Sequence, residues 1–238
     1  MKMKLSALLL SALIVLSGCQ TIQNASNKAK IGTLGGGSGA AIGAIIGAIA
    51  GGGKGAAIGA AIGGVVGGGA GVLIGHKMDK AKKAAEMANA EAEIIKDQNT
   101  GISYVKVTFP SGLLFTPGSH ALSAQAKTDL ATFAQNLDSD MDLYIYGHTD
   151  NSPFRGMTAA QSHAKNQELS LSRANSVSSY LQQSGLSAGQ VKEIKGYGED
   201  NPVADNATAA GKEQNRRVEV YILPSKQMIE NANKASAK

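Results

Sequence analysis

The chain contains one cysteine, Cys19, and no tryptophan, and aromatic residues make up only 4% of its 238 residues. A single cysteine cannot form an internal disulfide, which excludes the disulfide-stapled scaffolds of small exported proteins. The scarcity of aromatic rings leaves little material for stacking nucleic-acid bases. The net charge of +5 is modest, and the basic residues form no clustered face that would neutralise phosphates. Nucleic acid is therefore not an expected partner.

Motifs for catalysis and metal binding are also missing. Neither His148 nor His163 belongs to a nucleophile elbow or to a pair of histidines at metal-ligand spacing. The only cysteine lies at a predicted attachment point, described next. We therefore expect no enzyme, no catalytic residue, no metal and no cofactor.

The first 18 residues have the anatomy of an export signal. Lys2 and Lys4 precede an apolar run over 5–16 and a small-residue cleavage region, which predicts a signal peptide over 1–18. The run is too short to span a bilayer. The sequence "LSGC" ending at Cys19 resembles the bacterial lipobox, whose cysteine carries acyl chains, palmitate among them. Two or three chains give stable membrane anchoring, and residues 19–30 are predicted to form a lipidated linker.

The residue after Cys19 is Gln20. Lipoproteins of this kind are typically retained in the inner membrane when aspartate occupies that position. The resemblance therefore implies a lipid-anchored protein of the cell outer membrane, with its C-terminal domain in the periplasm.

Glycine recurs at every fourth position from Gly35 to Gly75, and Lys54 is the only charged residue between 31 and 75. On a helix this spacing draws one face of bare backbone, which favours close helix packing in lipid. The glycines at 51–53 and 55 surround Lys54 and predict a turn. The pattern over 31–75 resembles the two-helix glycine-zipper segments of bacterial envelope proteins. A membrane hairpin, an interfacial or homo-oligomeric hairpin, and a flexible linker all fit the sequence.

Residues 76–103 begin with a run of Lys, Glu and Ala, all good helix formers, whose apolar members are small. We interpret this stretch as a solvated helical connector. At 1.5 Å per residue it would reach roughly 30 Å from a membrane.

Residues 104–224 show the alternating periods of a mixed α/β domain. "YVKVTF", "DLYIYGHTD", "VKEIKGYG" and "RRVEVYIL" have strand character. A helical face is predicted around Leu130 and Phe133, and a longer helix is expected to run to about Gln183 and stop at Gly185. The predicted order is β-α-β-α-β-β. The tail over 225–238 is predicted to be a polar helix or disordered.

Four motifs in this domain carry a resemblance to a known family. "GHTD" at 147–150, "NQELSLSRANSV" at 166–177, "GYGEDNPVADN" at 196–206 and "NRRVEV" at 215–220 resemble the OmpA-like peptidoglycan-binding domain. With its lipobox and glycine segment, the whole chain resembles the OmpA-family outer-membrane lipoproteins. The resemblance implies an α+β fold, with a mixed sheet and helices packed on one face.

The resemblance also implies a binding site for diaminopimelate, an amino acid of the peptidoglycan stem peptide. Asp150 and Arg173 match the two family positions that hold it. Other positions match its surroundings, and these are Thr149, Asn151, Asn166, Leu169, Ser170 and Arg216. A zwitterionic ligand end does require one anion and one planar cation, since arginine binds carboxylates bidentately. From the residues alone, a surface ion pair between Asp150 and Arg173 is the alternative.

One departure from the family pattern follows Asp150. Residues 152–156 open a longer stretch before Asn166 than the family usually has, and this stretch could extend or partly cover the pocket. Two functions remain open for the chain. One is a tether that binds peptidoglycan non-covalently; the other is a glycine-zipper oligomer or pore, with wall binding only as its anchor.

Overall fold

The computed structural model describes residues 69–97, 102–116 and 118–236. The predicted signal peptide, Cys19, the linker and residues 31–68 of the predicted hairpin lie outside these ranges. The helices are α1 Gly69–Met87, α2 Ser111–Leu114, α3 Ala124–Asn136, α4 Ala159–Gln183, α5 Ala209–Asn215 and α6 Lys226–Ser236. The strands are β1 Glu91–Lys96, β2 Ser103–Pro110, β3 Met141–Gly147, β4 Val191–Gly196 and β5 Arg217–Pro224.

The five strands form one mixed sheet in the order β1-β2-β5-β3-β4. β3 and β4 are parallel, and the other neighbours are antiparallel. Helix α1 packs on β1 and β2 and contacts α3, while α4 packs on β3 and β4 and also contacts α3. The alternating residues Val218, Val220 and Ile222 of β5 are fully buried. This arrangement confirms the α+β fold and the mixed sheet, and β2-α3-β3-α4-β4-β5 reproduces the predicted order.

Local sequence signals explain where the two long helices begin and end. The Ser123 side chain accepts a hydrogen bond from the Ala126 N–H at the start of α3. At the start of α4, Thr158 and Gln161 form a capping box, which satisfies two backbone N–H groups that a helix start leaves free. After α4 ends, Gly185 adopts a φ of +111°, a conformation that favours glycine.

The prediction of a solvated helical connector over 76–103 is confirmed for a helix as far as Met87, but it is wrong about the solvation and about the residues that follow. Helix α1 ends at Met87, and β1 follows as an edge strand that pairs with β2. The side chains of Met78, Ala81 and Ala85 are fully buried. The alanines look like surface helix formers in the sequence, but their small size lets the helix lie close against the sheet. This stretch is therefore part of the folded domain.

Two further elements frame the domain. The tail forms helix α6, whose Met228, Ile229 and Ala232 are buried, and α6 packs against α1. Helix α1 starts at Gly69, so its first seven residues belong to the stretch predicted as hairpin. Among the described residues, no helix combines the length and the apolar character needed to cross a membrane.

Candidate functional site

Asp150 lies three residues beyond the end of β3 and is 6% exposed. Its Oδ2 accepts a hydrogen bond from Arg216 Nη1 at 2.5 Å, and its Oδ1 accepts one from the Ser152 N–H at 2.9 Å. Burial by itself would raise the pKa of Asp150, but the hydrogen bonds from Arg216 and Ser152 outweigh it and hold the pKa below its usual value. Asp150 is therefore a carboxylate at neutral pH. Two carboxylate oxygens offer about four acceptor positions, so it can accept further hydrogen bonds.

Arg173 is buried on α4, and its guanidinium is held from two sides. Its Nε donates to the Ser119 carbonyl oxygen at 3.1 Å, and its Cζ lies 5.2 Å from the centre of the Phe115 ring. Burial lowers the pKa of Arg173, and the nearby charge of Arg216 lowers it further, whereas Asp150 raises it. Within the described part of the chain, Nη1 and Nη2 have no hydrogen-bond partner, and neither is sealed from solvent. These two nitrogens are the fork with which arginine binds a carboxylate.

The structure tests whether Asp150 and Arg173 form an ion pair with each other. The two are close enough for Asp150 to influence the pKa of Arg173. They form no hydrogen bond or salt bridge with each other in the ranges that the structure describes. The ion pair of Asp150 is instead with Arg216. The alternative of a surface ion pair between Asp150 and Arg173 is therefore wrong.

Gly147 sets how closely α4 approaches this end of the sheet. A Cβ at Gly147 would collide with the backbone carbonyl of Ser170, one turn before Arg173 on α4. Gly196, the last residue of β4, similarly lies against the Leu171 backbone N–H. The two glycines let the helix that carries Arg173 pack against the ends of β3 and β4.

The remaining predicted residues surround Asp150 and Arg173 and differ in how many hydrogen bonds they already make. Ser170 Oγ donates to the Gln167 carbonyl oxygen and accepts the Gly198 N–H, so it is committed to structure. Thr149 donates its N–H to the Gly198 carbonyl oxygen. Its Oγ1 is enclosed by the protein and has no hydrogen-bond partner among the described residues.

Asn166 and its neighbours connect α4 to two loops. Asn166 is buried, and its Nδ2 donates to Glu199 Oε2 at 2.5 Å and to the Ser152 carbonyl oxygen at 3.5 Å. The exposed Asn151 donates a long hydrogen bond of 3.4 Å from its N–H to Asn206 Oδ1. Leu169 is partly buried on α4. Because Asn166 donates to the Ser152 carbonyl oxygen, it holds the loop after Asp150 in place.

About half of the longer stretch between Asp150 and Asn166 is helix. Helix α4 begins at Ala159, so only 151–158 form a loop. Within this loop Phe154 donates its N–H to Ser162 Oγ, and the Met157 N–H donates to the Phe154 carbonyl oxygen. The loop is thus anchored to the first turn of α4.

The two neighbouring arginines of "NRRVEV" have different surroundings. Arg216 has a side chain that is 39% exposed, and it pairs with Asp150. Arg217 is 3% exposed; it donates to Glu219 Oε1 at 2.8 Å and to the carbonyl oxygens of Asn215 and Asn201. Arg217 is therefore structural, and Arg216 belongs to the candidate site.

His148 precedes Thr149 but takes no part in the site. It is fully buried, it stacks on Tyr197 with ring centres 5.4 Å apart, and burial lowers its pKa. Its imidazole is therefore neutral at pH 7. Among the described residues, no group of three or more His, Cys, Asp or Glu side chains is arranged to hold a metal ion.

Sequence reasoning did not identify Phe115, Ser119 or Gly147 as contributors to the site. Phe115 and Ser119 lie in a stretch without a motif, more than 50 residues before Arg173, so no local pattern connects them. Gly147 is the first residue of "GHTD", and a glycine at the end of an apolar strand is a signal of close backbone approach.

Comparisons with known proteins give the relatives of this chain. The OmpA family model matches residues 114–216, and the YMGG-like Gly-zipper family model matches residues 1–79. The chain is 32% identical to the probable lipoprotein YiaD of Escherichia coli K12, over 92% of this chain and 97% of that protein. It is 35% identical to the outer-membrane lipoprotein YfiB of Pseudomonas aeruginosa, over 47% of this chain and 62% of that protein.

A solved structure shows the same fold. The cell wall anchor of the T6SS from Pseudomonas aeruginosa superposes with a TM-score of 0.50 at 25% identity, covering 62% of this chain and 97% of that one.

Proposed function

This chain belongs to the OmpA family, in the lipoprotein group that includes YiaD, and we propose that it tethers the outer membrane to the cell wall by binding peptidoglycan. The membrane attachment is proposed to be the acylated Cys19. The wall attachment is proposed to be the site around Asp150 and Arg173, which takes the side-chain end of diaminopimelate. The likeness to a cell wall anchor supports the tethering role.

The observation that carries the proposal is the unused hydrogen-bonding capacity of Arg173. Its guanidinium is fixed by Ser119 and Phe115. Its Nη1 and Nη2 have no hydrogen-bond partner among the described residues, and they suit the ligand carboxylate. Asp150 is ionised and can accept hydrogen bonds from the ligand ammonium. Because the side-chain end of diaminopimelate carries both groups, one anion and one cation can bind it together.

Arg216 adds a second cation beside Asp150. With Asp150, Arg173 and Arg216 charged, this trio has a net charge of +1, which favours a ligand that keeps its carboxylate ionised. Lys212 lies nearby, donating from Nζ to Ser152 Oγ at 3.2 Å. We propose that the site therefore prefers a stem peptide with a free side-chain carboxylate over one in which that carboxylate is amidated.

The test is co-sedimentation of the full chain with purified diaminopimelate-containing sacculi. Arg173→Ala and Asp150→Ala should each abolish detectable binding. Lys83→Ala and Asp79→Ala are matched controls, because both positions are exposed on α1, and they should bind like the parent chain. Folding is checked by the melting temperature. Unchanged binding by both site variants would show that the ligand binds elsewhere.

A further inference from the structure

The end of the sheet opposite the candidate site carries an apolar groove. It lies between the first turns of α1 and helix α6, has a volume of about 450 Å³, and is lined mainly by Leu73, Ile74, Met228, Ala232 and Ala235. Leu73, which lines the groove, is 47% exposed, and the neighbouring Val72 is 60% exposed. Two adjacent large apolar side chains are thus open to the surroundings at one end of the domain.

Two lysines and two aspartates beside this groove pair with one another. Lys77 Nζ lies 2.6 Å from Asp140 Oδ2 and 3.3 Å from Asp138 Oδ2. Lys80 Nζ lies 2.5 Å from Asp138 Oδ1. Two lysines and two aspartates therefore cancel, and what this end offers to a partner is apolar rather than charged.

The chain reaches this groove directly from the uncharged glycine-rich stretch. That stretch covers 55–75 in the sequence, and its last seven residues form the start of α1, where Ala70 and Ile74 are buried in the folded domain. The groove therefore adjoins, along the chain, the segment for which the sequence predicts packing in lipid.

The groove and the candidate site lie at opposite ends of β3. Asp140, beside Lys77, immediately precedes β3, and Asp150 follows it. The strand has 7 residues, so at about 3.3 Å per residue its ends lie roughly 20 Å apart. A domain that meets the membrane at the groove would hold its ligand site away from the membrane.

We propose that Val72, Leu73 and the adjoining groove form a membrane-contact surface, seated at the boundary between lipid headgroups and acyl chains. This surface adds a second contact to the proposed lipid anchor, on which the proposal rests for its attachment to the bilayer. The contact is apolar, since the nearby lysines are already paired. The domain then stands directly on the membrane, with its wall-binding end pointing outward.

The absence of tryptophan from the chain makes a clean fluorescence test possible. The acylated full chain carrying Leu73→Trp is reconstituted in vesicles of phosphatidylethanolamine and phosphatidylglycerol, with and without bromine on the acyl chains. Met157→Trp is the matched control: Met157 is 43% exposed and lies on the loop after Asp150. A residue seated about 5–10 Å into the boundary region is within reach of the bromines.

We expect brominated lipid to quench Leu73→Trp severalfold more than Met157→Trp, regardless of the phosphatidylglycerol fraction. Equal quenching of the two variants in vesicles that carry the protein overturns the proposal. A blue-shifted Leu73→Trp that bromine does not quench also overturns it, because a second copy or the glycine-rich segment then fills the groove. Sacculus binding is measured separately, so loss of wall binding with quenching intact would sink only the proposed function.

Discussion

The two ends of β3 contrast in how their charges are used. At the Met141 end, Lys77 and Lys80 are paired with Asp138 and Asp140, and the exposed groups are apolar. At the Gly147 end, Arg173 retains two unpartnered nitrogens among the described residues, beside an ionised Asp150. The contrast teaches that charged residues alone do not mark a binding site. What distinguishes the proposed binding site is fixed charges that keep spare hydrogen-bonding capacity.

Replacing Arg217 should have the largest effect on stability. Arg217 lies at the proposed ligand end of β3, but its guanidinium nitrogens all donate to protein oxygens. Arg217→Ala would remove the guanidinium that donates to the fully buried Glu219, leaving Lys106, 3.3 Å from Glu219 Oε1, as the nearby cation. Removing one partner of a buried ion pair typically costs about 3–5 kcal/mol of unfolding free energy. Denaturant titration measures this loss. A change below about 1 kcal/mol, typical of a surface pair, would contradict the structural role.

Gly147→Ala should have the next largest effect, because the added Cβ collides with the Ser170 backbone. Overpacking of this kind costs about 1–3 kcal/mol, and displacement of α4 also moves Arg173, so sacculus binding should weaken. Gly112→Ala is the control, since the space around Gly112 is open. If Gly147→Ala were as stable and bound as well as Gly112→Ala, Gly147 would not position α4.

The sequence predicts the strands and long helices of this domain better than it predicts how α1 packs. The strands and the long helix follow from period and capping, and Val177 and Leu181 are buried as expected. The packing of α1 was not predictable, because Ala81 and Ala85 are too small to distinguish a buried face from a solvated one. A short alanine-rich helix gives the same pattern in both settings.

The candidate site was predictable only in part. The motifs indicate Asp150 and Arg173, but Arg216 contacts Asp150 across 66 positions, and the choice between Arg216 and Arg217 depends on the turn between α5 and β5. No local sequence pattern indicates which of the two arginines this turn directs toward Asp150. The assignment of the ligand-recognising residues stays a prediction, which substitution of Arg216 and the pH dependence of sacculus binding can test.

Arg216→Gln should sharpen the contrast with Arg217. The Arg216 side chain is 39% exposed, so solvent screening limits its stability contribution to less than about 1 kcal/mol. Its loss removes the second cation beside the ligand carboxylate, and we expect sacculus binding to weaken about tenfold, equivalent to about 1.4 kcal/mol. Preference for free over amidated diaminopimelate should also fall. Equal selectivity in the parent chain and the variant would exclude Arg216 from ligand discrimination.

The acid limit of binding is a smaller effect with a defined sign. Arg216 and Ser152 hold the pKa of Asp150 below its usual value, so binding should persist as the pH falls to about 4, near the ordinary aspartate pKa, and disappear below it as Asp150 is protonated. Arg216→Gln removes one of these hydrogen bonds, which raises the Asp150 pKa and moves the loss of binding to higher pH. Sacculus binding followed against pH checks the direction. An acid limit that stays fixed would assign the titration to another group.

Lys77→Ala probes the opposite end of β3 and should have the smallest effect. The Lys77 side chain is 38% exposed and its partner Asp138 is also contacted by Lys80, so the loss of stability should be about 0.2–1 kcal/mol. Sacculus binding should not change, because the ligand site lies at the other end of the strand. Melting temperature and co-sedimentation measured on the same preparation separate the two effects. A Lys77→Ala variant that kept its stability but lost wall binding would show that the ends of β3 are coupled, and the division between a membrane end and a wall end would then fail.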